Sequence, residues 1–423
     1  MKKFKFFIFI FLFMFVVCFC FSAYAENSVS NSNNNVTTLS PVALLMDAKT
    51  GKVLYEKNGY EQNFPASTTK LMTAILAVEN CNLSDIVKVS YNAVFSVPYD
   101  YTNAALQVDE ELTVEQLLNA LLIPSANDAG FALAEHIAGS TESFASMMNS
   151  KATEIGCKNT HFTNPSGIHN DNHYSTAYDL ALIGRYAMQY DTIMNIVCKT
   201  SYRLPVTNKY ERDDRYFVTT NSMIRENFTS YYDSRVTGLK TGYTEHALDC
   251  IVASAKQNDL DLIVVILGAG YESNGLRQKY LDCHTLFDYG FKNYTMSQIV
   301  SKDDVCKTIK IDGATSETEN LNLVYKDSIS AFVPTSFDTT SVEPSITLRD
   351  NLTAPISAGE VIGKATYTID DISYTTDLLA QSDVKPFPLL EICIKTGFII
   401  ILFFIVLELV RLIKPKKKRR RKH

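Results

Sequence analysis

"HALDCIVASAKQNDLDLIVVILGAG", His246 to Gly270, decides the fold class. It holds two apolar, β-branched runs on either side of Asn258-Asp259, which reads as two strands joined by a tight turn. A second such pair lies far upstream in "PVALLMDAKTGKVLYEKN", Pro41 to Asn58, around Lys49-Thr50-Gly51-Lys52. Between the two pairs the period turns helical. Leu71 to Asn80 is one helix. "TVEQLLNALLI", from Thr113, is another, with Glu115 and Gln116 in its first turn. "ASMMNSKATEIG", from Ala145, and "TAYDLALIGRYAMQY", from Thr176, are two more. Strands, helices, strands predicts an α+β domain, an antiparallel sheet flanked by helices.

Past about residue 297 the pattern changes to short alternating runs, "KTIKIDG", "NLNLVYK", "SISAFVP" and "KATYTIDD", between turn residues. They predict a small C-terminal all-β domain. "SDVKPFP", Ser382 to Pro388, is expected to be a stiff connection beyond it.

Both ends of the chain are apolar. Lys2, Lys3 and Lys5, a long apolar run and Ala23-Tyr24-Ala25 form a secretory signal with cleavage expected after Ala25. Val17 precedes Cys18, which argues against a lipoprotein signal. Residues 389–413 reach the roughly 20 apolar residues that a membrane span needs, and a basic tail follows from Arg411. A spanning helix with a cytoplasmic tail is the expectation, and a helix lying in the interface on anionic lipid is the alternative. The expected order is a signal at 1–25, a flexible Asn/Ser-rich segment at 26–38, an α+β domain at 39–296, a β-domain at 297–383, a linker and anchor at 384–413, and a tail at 414–423. The working part would face outward from the cytoplasmic membrane.

The chain has 40 Lys+Arg against 46 Asp+Glu. With the leader and the basic tail set aside, the rest is strongly acidic, which excludes a nucleic-acid surface. Of nine cysteines, Cys18 and Cys20 leave with the signal and Cys393 lies at the membrane. Export permits disulfides among Cys81, Cys157, Cys198, Cys250, Cys283 and Cys306, with the pairing left open; buried free thiols are the simpler expectation. No C-x-x-C or H-E-x-x-H spacing occurs, and His161, His169 and His173 are expected to make loop contacts and not to bind a metal.

The chemistry starts at "FPASTTKLMTA", Phe64 to Ala74. Ser67 and Lys70 are three residues apart where an apolar helix begins, so hydroxyl and amine share a face. A serine needs a base to act as a nucleophile. Burial and a second cation nearby would both favour an uncharged Lys70. A lone Ser-x-x-Lys arises by chance roughly once or twice in such a chain. Ser382 and Lys385 make another, spoiled by Pro386. Two further motifs join the first: Ser125-Ala126-Asn127 in "LLIPSANDAG", and Lys240-Thr241-Gly242 just before the strand pair. A second Lys-Thr-Gly at Lys395 opens the membrane segment and reads as a decoy.

The ordered set S-x-x-K, S-x-N and K-T-G occurs in penicillin-binding proteins and class A β-lactamases. "MDAKTGKVLYEKN", "FPASTTKLMTA", "LLIPSANDAGFALAEHIAGS", "HFTNPSGIHNDNHYSTAYDLALIGRYAM" and "GLKTGYT" together resemble the D-alanyl-D-alanine carboxypeptidases among the low-molecular-weight penicillin-binding proteins. "NLTAPISAGEVIGKATYTIDD" resembles the β-domain that follows in those enzymes.

The resemblance implies roles. Ser67 would attack the carbonyl between the last two D-alanines of a peptidoglycan stem peptide, and Lys70 would take its proton. Ser125 and Asn127 would line the cleft, and Ser125 would relay a proton to the leaving amine. Lys240 would be the second cation, Thr241 would bond the substrate carboxylate, and Gly242 would let substrate lie along the strand edge. Backbone N–H groups of Ser67 and Tyr243 would form the oxyanion hole. Arg277 would meet the terminal carboxylate, or else be a plain surface arginine. Tyr231, Tyr232 and Tyr243 would line the cleft or pack. Leu248 stands where many relatives have glycine. No cofactor is implied, and β-lactams would acylate Ser67. The competing readings are a β-lactamase of the same fold, which lacks a Glu-x-x-x-Asn deacylating motif here, and a catalytically silent peptidoglycan-binding protein.

Overall fold

A computed structural model describes residues 36–272 and 274–413. The expected signal and basic tail lie outside the described residues, as does most of the 26–38 segment. The α+β expectation holds. The central sheet has five strands: β1 (Val42–Asp47), β2 (Val53–Lys57), β3 (Val236–Thr244), β4 (Leu248–Gln257) and β5 (Leu260–Ala269), in the order β2-β1-β5-β4-β3. Every pairing is antiparallel. The Asn258 turn joins β4 to β5, with Asn258 at φ 54°, a left-handed value that asparagine tolerates. The expected strand pair is therefore a trio. Val236 to Thr244, which carries Lys240-Thr241-Gly242, is itself a strand, and it lies at the sheet edge.

The near-continuous apolar character of β1, β4 and β5 follows from burial on both faces. On one face Leu44, Met46, Val252 and Ile263 join the main core with helices α1 (Lys70–Asn80), α2 (Val114–Leu122), α3 (Asn127–Ala138), α4 (Thr141–Ile155) and α5 (Ala177–Ala187). Gly184 of α5 lies so close that a Cβ there would sit 3.0 Å from Val252 and 3.2 Å from Leu239. The opposite face is covered by α6 (Gln278–Asn293), where a Cβ on Gly290 would be 2.5 Å from Leu262. Helix α2 begins as its sequence predicts. Thr113 accepts from the Gln116 N–H, and the Gln116 side chain accepts from the Thr113 N–H. That capping box contributes roughly 1 kcal/mol.

The C-terminal part is all-β. Strand β6 (Tyr294–Val300) pairs with β9 (Ile329–Pro334). A second sheet runs β7 (Val305–Lys310), β8 (Asn320–Tyr325), β12 (Ile372–Ala380), β11 (Val361–Ile369), β10 (Ser345–Leu348). Leu321, Leu323, Ile362 and Leu378 fill its core. Lys52, in the β1–β2 turn, bonds Asp370 in the β11–β12 turn and ties the two parts together.

The stretch expected as a free connection is instead sewn to the β-domain. Val384 pairs with Ile356, Pro386 lies beside Ala314, and the Phe387 N–H bonds the Gly313 carbonyl at 2.7 Å. Proline has no N–H to lose there, so the segment can add as an edge strand. Helix α7 (Leu389–Ile413) starts two residues later. Its stretch Leu389–Leu412 has mean hydropathy 2.5 and none of it is buried. At 1.5 Å per residue α7 is about 37 Å long, enough for a bilayer's apolar core.

Candidate active site

Ser67 sits in a single 3₁₀ turn, Ala66–Thr69, and Lys70 opens α1 directly after it. Helix α1 starts one residue earlier than its apolar run predicts. Lys70 is fully buried. Its Nζ lies 2.8 Å from Ser67 Oγ, 2.9 Å from Asn127 Oδ1 and 2.8 Å from the Ser166 carbonyl. The proton count is informative. An uncharged amine has two N–H groups and one lone pair. The carbonyl of Ser166 and Oδ1 of Asn127 can only accept, so they take both N–H groups. The lone pair then faces the one partner able to donate, the Ser67 hydroxyl. Burial, followed by the charge of Lys240, pushes the Lys70 pKa well below an ordinary lysine's, against a smaller opposing pull from Asp128.

The Asn127 amide is itself oriented, because its Nδ2 donates to the Thr102 carbonyl at 2.7 Å. The Thr102 loop is pinned by Asp128, which is buried and accepts from the N–H groups of Ala104 and Leu106. Ser125 lies on the turn into α3 at φ 71°, a left-handed value. Such a conformation is sparsely populated for a residue with a Cβ and is held only where its surroundings fix it.

The second wall is β3. Lys240 is buried, with Nζ 3.0 Å from the Thr241 carbonyl. Burial and then the charge of Lys279 push its pKa down to about 7. Thr241 Oγ1 shares a 2.6 Å hydrogen bond with Thr220 Oγ1. Gly242 presses on the nucleophile's turn: a Cβ there would stand 2.9 Å from Ser67 N and 3.0 Å from Ala66 Cβ. Arg277 precedes α6, with its side chain 42% exposed and Nη1 3.2 Å from Asp249 Oδ1. These walls enclose a cleft of about 560 Å³ bordered by Ser67, Ser125, Asn127, Thr241, Tyr243 and Arg277. The structure thus brings together every site residue expected from the sequence, with Lys70 and Lys240 beneath the cleft's surface.

A family model described as D-alanyl-D-alanine carboxypeptidase matches residues 27–270. The chain belongs to the D-alanyl-D-alanine carboxypeptidase family. A second model, the C-terminal domain of penicillin-binding protein 5, matches residues 294–386 of this family member. Relatives include D-alanyl-D-alanine carboxypeptidase DacF of Bacillus subtilis (strain 168), 32% identical over 84% of this chain and 86% of that one. D-alanyl-D-alanine carboxypeptidase DacC of Escherichia coli (strain K12) is 31% identical over 77% and 79%. Among solved structures, a peptidoglycan synthesis regulatory factor (PBP3) from Streptococcus pneumoniae superposes with TM-score 0.68 at 26% identity, covering 82% of this chain and all of its own. Penicillin-binding protein 5 from Haemophilus influenzae gives 0.61, also at 26% identity, covering 83% and 99%.

Several contributors to this carboxypeptidase-family cleft are not evident from the sequence. Ser166 acts through its carbonyl, which no side-chain motif can signal. Gly167, at φ 76°, is packed so that a Cβ would lie 1.8 Å from the Ala66 carbonyl oxygen. Ala66 is itself left-handed at φ 46°, so the turn bearing Ser67 is held from outside. Lys279 is buried, borders the cleft and meets Asp249 Oδ1 at 2.7 Å. The three histidines make loop contacts. His173 bonds Thr69 Oγ1 at 2.9 Å, and burial then the neighbouring histidines push its pKa to about 3. His161 Nδ1 meets the Asn172 carbonyl, and His169 stacks on His246. Among the described residues, the ligand-type cluster Cys81, Asp85 and His136 brings donor atoms within 4.8 Å of one another, but it does not border the cleft. Cys81, Cys157, Cys198, Cys250, Cys283, Cys306 and Cys393 are free thiols.

Gly242→Ala gives a direct check on the cleft. The added methyl must displace Ser67 N or Gly242 itself, and a misplacement near 1 Å costs on the order of 100-fold. The rate of penicillin acylation should fall by about that factor while the melting temperature stays close to the parent's. A rate within twofold of the parent's would show that β3 does not define the nucleophile's position.

Proposed function

We propose that this protein is a serine-type D-Ala-D-Ala carboxypeptidase that trims peptidoglycan stem peptides through an acyl-enzyme on Ser67. The contact that carries the reading is Lys70 Nζ on Ser67 Oγ inside a site that favours the uncharged amine. Ser67 Oγ attacks the carbonyl of the penultimate D-alanine as its proton passes to Lys70. The developing oxyanion is met by the N–H groups of Ser67 and Tyr243. The C–N bond breaks, the terminal D-alanine amine takes a proton through Ser125, and D-alanine leaves. Water then attacks the ester, Lys70 takes its proton, and the shortened peptide departs. Lys240, Thr241 and Arg277 hold the terminal carboxylate, and substrate adds as a strand on the open edge of β3. β-Lactams acylate the same oxygen. Helix α7 tethers the enzyme to the outer face of the cytoplasmic membrane.

The test is release of D-alanine from an N-acetylated stem tripeptide, with fluorescent penicillin located by peptide mass mapping. Label on Ser67 together with D-alanine release supports the reading. Rapid turnover of nitrocefin without D-alanine release would replace it with a β-lactamase. Neither label nor turnover would leave a silent binding protein.

Acidity gives a second check. In the free enzyme kcat/KM should rise as Lys70 loses its proton and fall as Lys240, near 7, loses its charge. An arginine keeps its charge to pH 12 and beyond. Lys240→Arg should therefore remove the alkaline limb of the kcat/KM profile, whatever it does to the maximum. An alkaline limb that stays in place would assign it to another group.

A further inference from the structure

The cleft does not end at β3. His246, which closes its far side, also borders a second hollow of about 450 Å³. That hollow is lined by Gln62, Asn63, Phe64, Asp171, Tyr174 and Leu248 among others. His246 stands as a partition, stacked on His169 with centroids 3.7 Å apart and planes within 2°, and His169 in turn lies edge-on to Phe64.

Charge is unevenly distributed along this path. The end nearest α6 is basic, with Arg277 and Lys279 on the cleft surface and Lys240 just below. The other end carries Glu245 at the cleft rim and Asp171 in the hollow, and apart from the histidine no lining residue of the hollow is basic. Asp171 is 93% exposed at its side chain, with only His169 Nε2 nearby at 3.4 Å.

The direction of substrate follows from the sheet. A peptide extending an antiparallel sheet runs opposite to β3. With its terminal carboxylate at Lys240 and Thr241 and its reacting carbonyl at Tyr243, the residues upstream run past Thr244 to Glu245 and His246. At about 3.3 Å per residue, the residue before the two D-alanines reaches the partition.

We propose that the hollow beyond His246 receives the side chain of the residue preceding the two terminal D-alanines, and that Glu245 and Asp171 select a side chain ending in a free protonated amine. The inference rests on the carboxypeptidase reading. Leu248 supplies the other half of the match. It holds φ 55° and keeps its side chain 45% exposed at the hollow's wall. An aliphatic stem can lie along Leu248 and Phe64 while the amine stays in water beside the carboxylates, the usual arrangement for a lysine-like side chain. A diamino acid therefore fits, and a glutamate-like side chain does not.

The experiment compares N-acetylated X-D-Ala-D-Ala peptides in which X is lysine, Nε-acetyl-lysine or norleucine. Exposed ion pairs are modest, so the lysine peptide should lead both others by about fivefold in kcat/KM. The lead should shrink as salt is added. In Asp171→Asn/Glu245→Gln the lysine-to-norleucine ratio should fall close to one. Reading a ratio within one enzyme cancels any loss of folded protein. Leu248→Gly, which the left-handed backbone accepts, should erase the advantage of norleucine over alanine at X. Equal rates for lysine and norleucine in the parent enzyme would overturn the subsite and leave the carboxypeptidase standing. A ratio unchanged in the double variant would overturn the assignment to these carboxylates. No D-alanine from any peptide would remove both readings together.

Discussion

Ser67→Ala is expected to abolish D-alanine release and stable penicillin labelling, a loss on the order of 10⁶-fold, the scale seen when a serine nucleophile is removed. The fold should survive. Ser67 is only partly buried, and its Oγ serves one of the three contacts of Lys70. The other two, to Asn127 and Ser166, remain. Melting temperature and D-alanine release, measured on one preparation, check both halves. Release within a factor of ten of the parent's would move the nucleophile elsewhere, with Ser125 the next hydroxyl in the cleft.

Lys70→Arg separates charge from basicity. Arginine keeps the cation but offers no lone pair at any usable pH. The three groups around Lys70 Nζ then face a donor-only side chain, and Ser67 has nowhere to send its proton. General-base loss of this kind costs about 10²- to 10⁴-fold. The upper end is expected here, because the site is buried and no other base touches Ser67 Oγ among the described residues. The measurement is the second-order rate of penicillin acylation. A loss below tenfold would mean that Lys70 orients Ser67 without accepting its proton. The variant also adds a permanent buried charge, so its melting temperature should fall by several degrees.

What could be read beforehand followed from periodicity and spacing. The strand pair around Asn258, the helix opened by Thr113 and the Ser67–Lys70 pair are local signals, and each sits where its spacing places it. The second cation was legible only as a requirement, since Lys240 is remote in sequence and reaches Lys70 through the fold. What stayed hidden has a common cause. The Ser166 carbonyl and the backbone of Ala66 act through main-chain atoms, which every residue type carries. Lys279 and Asp249 are a long-range buried pair whose members each look like ordinary surface residues in a single sequence. The connection after Ser382 was misread because Pro386 and Pro388 suggest a free spacer. Those prolines occupy an edge, where a missing N–H is harmless.

That sewn connection fixes how far the enzyme can reach. Phe387 is still hydrogen-bonded to the β-domain, and Leu389 already begins α7. A long flexible tether would let the catalytic cleft sample a deep volume of cell wall. Here the slack amounts to one or two residues. With α7 in a bilayer, the cleft works at a near-constant height, set by the thickness of the β-domain and not by chain entropy. Only peptides in that layer of wall are within range, and older material pushed outward by new synthesis passes beyond the enzyme without being cut.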